Sequence, residues 1–406
     1  MLKAYKYRIK PNKEQIEMFE KHFGSVRFVY NWGLEQKTKA YQETGETILH
    51  NKLVTSLPEL KEENPWLKDV NSQAIQSSLR NLDNAYTRFF REKKGFPKFK
   101  SKNNSKQSFQ CPQSCSIDFD RGFLNIPKIK NIKTIFHRKF DGEIKTLTIS
   151  RVASGKYYVS VLVEDGKELP SKPKLDRNDA VGIDLGLKDF VIMSDGDRVS
   201  NPKYFRKSER KLAKLQKRLS KKQKGSNNRN KQKQKVAKTH EKIANQRKDF
   251  LHKTSYEIVH KNQGTICMED LCVKGMIKNR RLAKSISDVG WEMFETFLKY
   301  KVEWYGKNFL DIGRFEPSSK MCSNCGAIKS DLKLSDREWI CSKCGVNHDR
   351  DINASINIRN MAFTNQNLVR CIGLGQPDSK PVEKADRTKS KSASVKQEAQ
   401  GSLNLG

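Results

Sequence analysis

The N-terminal third of the chain combines strand-like and helix-like patterns of apolar residues. Residues 5–10 alternate aromatic or aliphatic side chains with lysine and arginine before a proline, which predicts a half-buried strand. Over residues 13–92 apolar residues recur at steps of three and four, the spacing of one helix face. Two β-rich runs at 146–150 and 157–161 flank an Ala-Ser-Gly turn and predict a hairpin. This third is therefore predicted to be a small β-barrel or sheet with a helical insertion at about 13–92.

A second unit is predicted to begin after the Ser-Lys-Pro-Lys linker at 171–174. The apolar strand at 180–183 runs into an acidic residue, and residues 190–196 have the pattern of its antiparallel partner. Another apolar strand at 265–268 also runs into an acid, and the segment His-Asp-Arg-Asp at 348–351 opens a helix. These alternating patterns predict an α/β unit.

The charge of the chain indicates a polyanionic partner. Its 406 residues include 80 Lys or Arg against 46 Asp or Glu, a formal net charge of +34. Such a charge opposes compaction by self-repulsion, so nucleic acid is the predicted partner and an anionic membrane the less favoured alternative. No run approaches 18 consecutive apolar residues, and the N-terminus lacks the apolar core of a signal peptide. We therefore expect no membrane span and a cytosolic location.

Half of this charge is concentrated in one stretch. Residues 203–248 contain 19 Lys or Arg and only two Glu, a surplus of 17. Spaced leucines and a central Gly-Ser-Asn-Asn predict a helical hairpin with narrow apolar seams. A solvated coiled hairpin is the alternative, but solvated faces normally mix charges of both signs. The composition favours a surface that faces polyphosphate.

Acidic residues follow or open the apolar elements of the second unit. Asp184 ends a strand between two glycines, Glu269 ends another, and Asp349 and Asp351 open a helix. Each alone has a structural explanation, as a turn aspartate, a strand-end glutamate or an acid in a helix's first turn. Together they match what phosphodiester hydrolysis requires, because carboxylates converging from separate elements can hold two Mg²⁺ ions. The combination predicts a metal-dependent site.

Two C-x-x-C pairs near the C-terminus have the spacing of a zinc ribbon. Cys322 and Cys325 form the first pair, Cys341 and Cys344 the second, with 15 residues between them and a glycine after each pair. A reducing compartment disfavours disulfides as the alternative. Four thiolates leave no open coordination position, so we expect one structural Zn²⁺.

Taken in order, these motifs resemble the TnpB family of transposon-encoded, RNA-guided DNA nucleases, relatives of the type V CRISPR effectors. The segments are G-I-D-L-G at 182–186, M-E-D at 268–270, the four-Cys ribbon and H-D-R-D-I-N-A-S-I-N-I at 348–358. Supporting stretches lie at 24–31, 95–99 and 285–291, and the match runs from about residue 1 to 363.

The resemblance implies a fold of α/β class combined with a β-barrel. Its parts would be a wedge β-barrel (1–12 and 93–172), a helical recognition insertion (13–92), an RNase H-like RuvC nuclease domain (173–317 and 347–364) with the basic helical hairpin at 203–250, and an inserted zinc ribbon (318–346). The composition of residues 365–406 predicts a disordered tail.

Carried over to this sequence, the resemblance makes Asp184, Glu269 and Asp351 the catalytic acids that bind Mg²⁺ or Mn²⁺. Asp349 is not chosen, because the family's acid directly precedes x-N-A. The family usually continues N-A-A and this chain has N-A-S at 353–355, a small change on a helix face. All three acids are present, which matters because the family includes relatives without nuclease activity.

The resemblance also implies partners. A guide RNA derived from the transposon end would pair with target double-stranded DNA, while the protein reads a short target-adjacent motif and the shape of the heteroduplex. Because each chain carries one complete set of three acids, a monomeric ribonucleoprotein would suffice for cleavage. The expected location is the prokaryotic cytosol or nucleoid. Glutamine can pair bidentately with adenine, although solvation explains the exposed glutamines equally well. The candidate nucleic-acid contacts are Gln73, Gln76, Arg80, Lys98, Lys100, Arg210, Lys214, Lys217, Arg218, Arg280 and Arg281.

Two other functions are compatible with the sequence. A transposase on the same fold would perform strand transfer, but such enzymes generally use acids in the order Asp, Asp, Glu, whereas this chain offers Asp, Glu, Asp. A nuclease-inactive, RNA-guided repressor would bind DNA without cutting it. The complete set of acids and the intact ribbon argue against that alternative.

Overall fold

The computed structural model of the protein describes residues 1–371 apart from positions 105, 263, 315 and 334, with side chains described to residue 364. Within that part of the chain, no helix combines the length and apolar character needed to cross a membrane. The last helix runs to Cys371, so the predicted start of the tail at 365 falls inside a helix. Residues 372–406 of the predicted tail lie outside the described residues.

The N-terminal unit is a seven-stranded antiparallel sheet. Its strands are β1 (Leu2–Lys10), β2 (Gln107–Cys111), β3 (Ser116–Asp118), β4 (Phe123–Ile126), β5 (Ile129–Ile135), β6 (Glu143–Arg151) and β7 (Tyr157–Glu164), in the order β2-β6-β7-β1-β5-β4-β3. Tyr7 and Ile9 of β1 are buried while Lys6, Arg8 and Lys10 are exposed, which confirms the predicted half-buried strand. The predicted hairpin is confirmed by the antiparallel pairing of β6 with β7.

A helical insertion separates β1 from β2. It comprises α1 (Lys13–Thr44), α2 (His50–Thr55), α3 (Leu57–Glu63), a 3₁₀ turn (Pro65–Asp69) and α4 (Ser72–Glu92). Asn12 and Gln15 form a capping box at the start of α1, and Gly45 ends that helix in the left-handed conformation. Gly33 lets α4 approach closely, since a Cβ there would lie 2.7 Å from a methyl carbon of Leu79. On α4, the apolar helix face predicted within residues 13–92 therefore packs against α1.

The second unit has a five-stranded mixed sheet with the strand order β10-β9-β8-β11-β12. Pairings β8–β9 and β9–β10 are antiparallel, whereas β8–β11 and β11–β12 are parallel. The elements are β8 (Ala180–Leu185), β9 (Asp189–Met193), β10 (Arg198–Ser200), α5 (Tyr204–Ser220), α6 (Asn227–Lys261), β11 (Thr265–Glu269), α7 (Val273–Met276), α8 (Ala283–Val289), α9 (Trp291–Trp304), β12 (Asn308–Ile312), β13 (Glu338–Ile340), β14 (Asn347–Asp349) and α10 (Arg350–Cys371).

The basic hairpin consists of α5 and α6, and the predicted Gly-Ser-Asn-Asn ends the turn at Gly225 and Ser226 and opens α6 with Asn227. Helix α6 continues to Lys261, beyond the predicted limit of the hairpin at 250. The physical reason is burial, because Leu251 and Ile258 pack with Trp291 and Phe294 in the core of the second unit. The second helix of the hairpin is thus also a core helix.

The zinc-ribbon segment extends past its predicted end at residue 346. Strand β14 pairs antiparallel with β13, with His348 opposite Trp339. A boundary at 346 would separate two hydrogen-bonded strands. Helix α10 starts directly after β14, so the ribbon leads without a linker into the helix that carries Asp351.

Candidate active site

Two of the predicted acids lie at one edge of the mixed sheet. The parallel register of β8 and β11 pairs Ile183 with Met268, so Asp184 and Glu269 are the next residues on neighbouring strands. The carboxyl ends of parallel strands meet at the same sheet edge, which is where α/β folds commonly form sites. Residues 85 positions apart in the sequence are thereby brought side by side.

Helix α10 brings the third acid to the same edge. It packs against β8, β9, β11 and β12, and Asp351 lies in its first turn. Burial and the negative charges of Asp351 and Glu269 raise the pKa of Asp184 to about 7. Burial and the neighbouring Asp270 also raise the pKa of Glu269 to about 7. Asp351 and Glu269 are therefore close enough to Asp184 for charge repulsion to hinder its ionisation.

This donor set is suited to a hard divalent cation. Carboxylate oxygens are the ligands that Mg²⁺ and Mn²⁺ prefer, and a cation among Asp184, Glu269 and Asp351 would offset their mutual repulsion. Neighbouring carboxylates with raised pKa values, here Asp184 and Glu269, are a recognised mark of a functional site.

Two arginines contact the Asp351 carboxylate. The guanidinium of Arg337, just before β13, lies 3.1 Å from Oδ2 of Asp351, and that of Arg350 lies 3.0 Å from Oδ1. Asp349 has a different environment. Its Oδ1 accepts hydrogen bonds from the backbone N–H groups of Asp351 and Ile352, and its Oδ2 pairs with Arg198 at 2.7 Å. Asp349 thus caps the start of α10, as an acid at a helix N-terminus does.

The four predicted zinc ligands form one cluster. The Sγ atoms of Cys322, Cys325, Cys341 and Cys344 all lie within 4.8 Å of one another, and two of the Sγ–Sγ distances are 3.6 Å. Tetrahedral Zn²⁺ with Zn–S bonds of about 2.3 Å requires sulfurs about 3.8 Å apart. Hydrogen bonds from the backbone N–H of Val346 and from the Asn324 side chain lower the pKa of Cys344 to about 6. The geometry and chemistry of the cluster match a structural zinc site.

Asparagines of α10 join the cysteine cluster to the helix that bears Asp351. The Asn353 side chain accepts from Ser323 N–H at 2.9 Å and donates to Met321 O at 2.7 Å. Asn357 donates to Met321 O at 2.6 Å and to Ser318 O at 2.7 Å. Both asparagines are fully buried. A knuckle that carries Cys322 is thereby fixed to α10 by four side-chain hydrogen bonds.

The predicted contacts on α4 share one face of that helix. Gln76 and Arg80 are exposed, whereas Gln73 is half-buried and donates from Nε2 to Gln113 Oε1 at 2.6 Å. Gln73 is therefore already engaged with a neighbouring loop. Of these three predicted contacts, Gln76 and Arg80 have exposed side chains.

The basic loop after α4 holds two more of the predicted contacts. Lys98 is exposed. Lys100 is also an exposed residue, but its ammonium lies 3.7 Å from the ring centroid of Tyr30, a cation–π contact, and desolvation of the ammonium lowers the pKa of Lys100 to about 8. The backbone of Lys100 exchanges two hydrogen bonds with the Asn31 amide. Lys100 is thus committed to the helical insertion, unlike Lys98.

The remaining predicted contacts are exposed cations of the second unit. In the part of the chain that the structure describes, none of them forms an ion pair with a carboxylate; they are Arg210, Lys214, Lys217, Arg218, Arg280 and Arg281. The two glutamates of the basic stretch pair elsewhere, Glu209 with Lys284 and Glu241 with Lys156. The positive charge of α5 is therefore available to a ligand.

Sequence reasoning did not identify Arg337, Asn353 and Asn357 as parts of the site. The asparagines lie within the motif that carries Asp351, so their position alone was a signal. Arg337 lies in no motif, and only its 3.1 Å contact with Asp351 reveals it.

The comparisons with known families and proteins agree with one another. Residues 158–280 match the OrfB_IS605 family described as "Probable transposase", residues 291–358 the "Cas12f1-like, TNB domain", and residues 1–46 a "Helix-turn-helix domain". Over the last of these ranges the structure contains strand β1 and the single helix α1, which ends at Thr44. The fold of the chain resembles that of the protein in the "Cas12f1-sgRNA-target DNA complex", with a TM-score of 0.55, 15% identity, and coverage of 86% of this chain and 83% of that one.

Two curated relatives span nearly the whole chain. A "Putative RNA-guided DNA endonuclease" of Streptomyces pristinaespiralis is 37% identical over 361 residues, covering 88% of each protein. "Putative RNA-guided DNA endonuclease InsQ" of Escherichia coli K12 is 33% identical and covers 88% of this chain and 91% of the relative. Since this similarity extends through both units and agrees with the IS605 family match, the chain belongs to the TnpB family.

Proposed function

We propose that the protein is a transposon-encoded, RNA-guided DNA endonuclease that cleaves target double-stranded DNA by metal-dependent hydrolysis. The observation that carries this proposal is the convergence of Asp184, Glu269 and Asp351 from β8, β11 and α10 at one sheet edge. Two full-length relatives carry endonuclease names, which supports the reaction type.

The proposed fold of the nuclease unit is RNase H-like, of the RuvC type. An antiparallel β8–β9–β10 meander beside parallel β11 and β12 supports this assignment, as does α10 packed across the sheet. We propose that the N-terminal sheet is a wedge barrel that carries the recognition insertion. Strands β2 and β3 are its edges, and barrel closure stays a prediction.

Asp184, Glu269 and Asp351 would hold Mg²⁺ or Mn²⁺. Ions bound there would activate a water and stabilise the leaving oxygen of the phosphodiester. Asp184 and Glu269 have to lose protons before they can act as ligands, because their pKa values are raised to about 7. Arg337 and Arg350 keep the Asp351 carboxylate in place, and Asp349 fixes the helix start behind it.

The proposed partners are a guide RNA from the transposon end and the target DNA. The unpaired cations of α5 and the exposed Gln76 and Arg80 of α4 support two separate nucleic-acid surfaces. The Cas12f1 neighbour, whose title names a guide RNA and target DNA, supports the same pair of ligands. One set of three acids per chain is compatible with a monomeric ribonucleoprotein. Because its thiols suit a reducing compartment, we propose the prokaryotic cytosol or nucleoid as its location.

Reconstitution tests this function directly. The protein, purified with the transposon-end RNA, should cut matched double-stranded DNA only when Mg²⁺ or Mn²⁺ is present. Asp184→Ala should abolish cutting while RNA-dependent DNA binding persists. Asp195→Asn is the control, because Asp195 pairs with Lys261 in a turn away from the acids. Binding without cutting by the wild-type complex would indicate the repressor alternative, and joined strand-transfer products would indicate a transposase.

A further inference from the structure

A cationic cavity lies beside the three acids. It has a volume of about 270 Å³ and is formed by the β8–β9 turn, the start of α5, α8 and the segment before β13. Its charged lining residues are Lys188, Lys203, Arg206, Lys284, Arg337 and Asp288. Five cations and one acid surround it.

The single acid of the lining does not offset these cations. The Asp288 carboxylate accepts hydrogen bonds from Arg247 at 2.8 Å and from the backbone N–H of Phe205 at 3.1 Å. Its charge is therefore neutralised from outside the cavity. Lys284 pairs with Glu209. Among the described residues Lys188, Lys203 and Arg206 have no carboxylate partner, so the cavity has a net positive charge.

Two connections place the cavity next to the acid site. Lys188 lies in the short turn that follows Asp184 at the end of β8. Arg337 lines the cavity and also contacts Asp351 Oδ2 at 3.1 Å, so one side chain spans the two. A group bound in the cavity would lie within the length of one arginine side chain of Asp351.

We propose that this cavity binds a backbone phosphate of the DNA strand being cut and thereby positions the neighbouring phosphodiester at the acids. The inference rests on the proposed nuclease function and adds the part of the substrate that this surface holds. Lysine and arginine without carboxylate partners are the usual ligands of DNA phosphates, and such contacts fix register without reading sequence. Positioning of this kind accelerates a reaction by holding the reacting group in place.

A charge-matched pair of variants tests the proposal by cleavage. Lys203→Asn with Arg206→Gln removes two unpaired cations, and asparagine tolerates the positive φ of 50° at position 203. Lys130→Gln with Lys133→Gln removes two exposed cations of strand β5, which lie outside both the cavity and the proposed nucleic-acid surfaces. With the assembled RNA complex, the first pair should lower the cleavage rate at least tenfold and leave RNA affinity unchanged. The second pair should cleave like the wild type.

Equal loss in both pairs would overturn the proposal, because general charge would then explain the effect. Loss of RNA binding in the first pair alone would also overturn it, since the cavity would then hold the guide RNA.

A crosslinking experiment tests phosphate binding in the cavity independently of the proposed nuclease function. The Asp184→Ala complex is given target DNA that carries photo-reactive groups on successive phosphates, and the crosslinked peptides are identified by mass spectrometry. We expect crosslinks to peptides containing Lys203, Arg206 or Lys284. Crosslinks confined to other parts of the chain would refute the proposal that the cavity binds a DNA phosphate. Crosslinks at the cavity in a protein whose wild-type form never cuts would refute the nuclease function and leave the phosphate site standing.

Discussion

The backbone of helix α10 lies directly against strand β8 at Gly182 and Ser355. A Cβ built on Gly182 would be 1.9 Å from the carbonyl oxygen of Ser355. Only glycine therefore permits this approach, which brings Asp351 of α10 to Asp184 of β8. The Ser355 hydroxyl, where the family usually has alanine, donates to Ile352 O at 2.7 Å. Its polar group is satisfied within the helix, so the substitution is compatible with full burial.

We expect Gly182→Ala to abolish or strongly reduce cleavage, because the added methyl must push α10 away from the sheet. Overpacking of this kind typically costs about 1–3 kcal/mol of unfolding free energy. Gly24→Ala is the control, since nothing lies within 4 Å of its Cβ inside α1 and a gain of about 0.5–1 kcal/mol is expected there. Thermal melts and cleavage rates measure both variants. Wild-type cleavage by Gly182→Ala would contradict the role of this close approach.

Asp184→Asn should stabilise the metal-free protein at alkaline pH. The folded-state pKa of Asp184 is about 7, against about 3.9 for an unfolded chain. Because the folded pKa is raised, stability falls as pH increases from about 4 to 7 and stays low above that range. In EDTA at pH 8 the variant should have a higher melting temperature than the wild type, and near pH 4 the two melting temperatures should be equal. Added Mg²⁺ should raise the melting temperature of the wild type more than that of the variant. If the variant melts at a lower temperature than the wild type at pH 8, then burial and the neighbouring negative charges do not penalise ionised Asp184.

Cleavage should decline as pH falls below about 7, because Asp184 and Glu269 must be ionised to hold a cation. Metal ions and protons compete for the same oxygens, so raising the Mg²⁺ concentration should move the inflection to lower pH. Single-turnover rates at three Mg²⁺ concentrations between pH 5.5 and 8.5 measure this shift. An inflection that stays fixed as Mg²⁺ changes would assign it to another group.

Replacing Cys322 and Cys325 together by serine should remove about one zinc ion per chain and lower the stability of the ribbon and the start of α10. Elemental analysis of the purified protein measures the zinc, and hydrogen exchange over residues 318–360 measures the local loss. Cys115→Ser is the matched control, because that thiol lies outside the four-cysteine cluster. Wild-type protein that contains no zinc would refute the site.

Asn353→Ala should weaken the binding of Mg²⁺ by the acids without releasing zinc. The variant loses both hydrogen bonds to the cysteine knuckle, which lets the first turn of α10 and Asp351 shift. We expect the Mg²⁺ concentration for half-maximal cleavage to rise several-fold with one zinc retained. Asn353→Asp should have an intermediate effect, since it keeps the acceptor for Ser323 N–H and loses the donor to Met321 O. Zinc loss equal to that of the cysteine variants would mean that Asn353 only supports folding.

Local patterns predicted much of the fold because they reflect interactions between near neighbours. The alternation at 5–10, the hairpin of β6 and β7, the strand β8 and the two basic helices all appear where the sequence indicates them. The structure differs from the prediction at residue 250, the expected end of the basic hairpin, and at residue 346, the expected end of the zinc ribbon. Helix α6 is extended by packing against α9, and β14 pairs with β13 across the ribbon. The apolar residues Leu251 and Ile258 have helical spacing, but only the packing against α9 shows that the helix continues through them.

The sequence by itself determined which groups could bind metal and where the charge lies. Two C-x-x-C pairs and three acids at strand or helix ends specify their chemistry through residue type and short spacing, and the basic stretch is a matter of composition. The family motif already favoured Asp351 over Asp349, and the tertiary structure supplied the physical reason, since Asp349 caps a helix whereas the charge of Asp351 acts on Asp184. Only the tertiary structure placed Arg337 between the acid site and a cationic cavity. These relationships join residues far apart in the chain, and close packing of β8, β11 and α10 decides which of them meet.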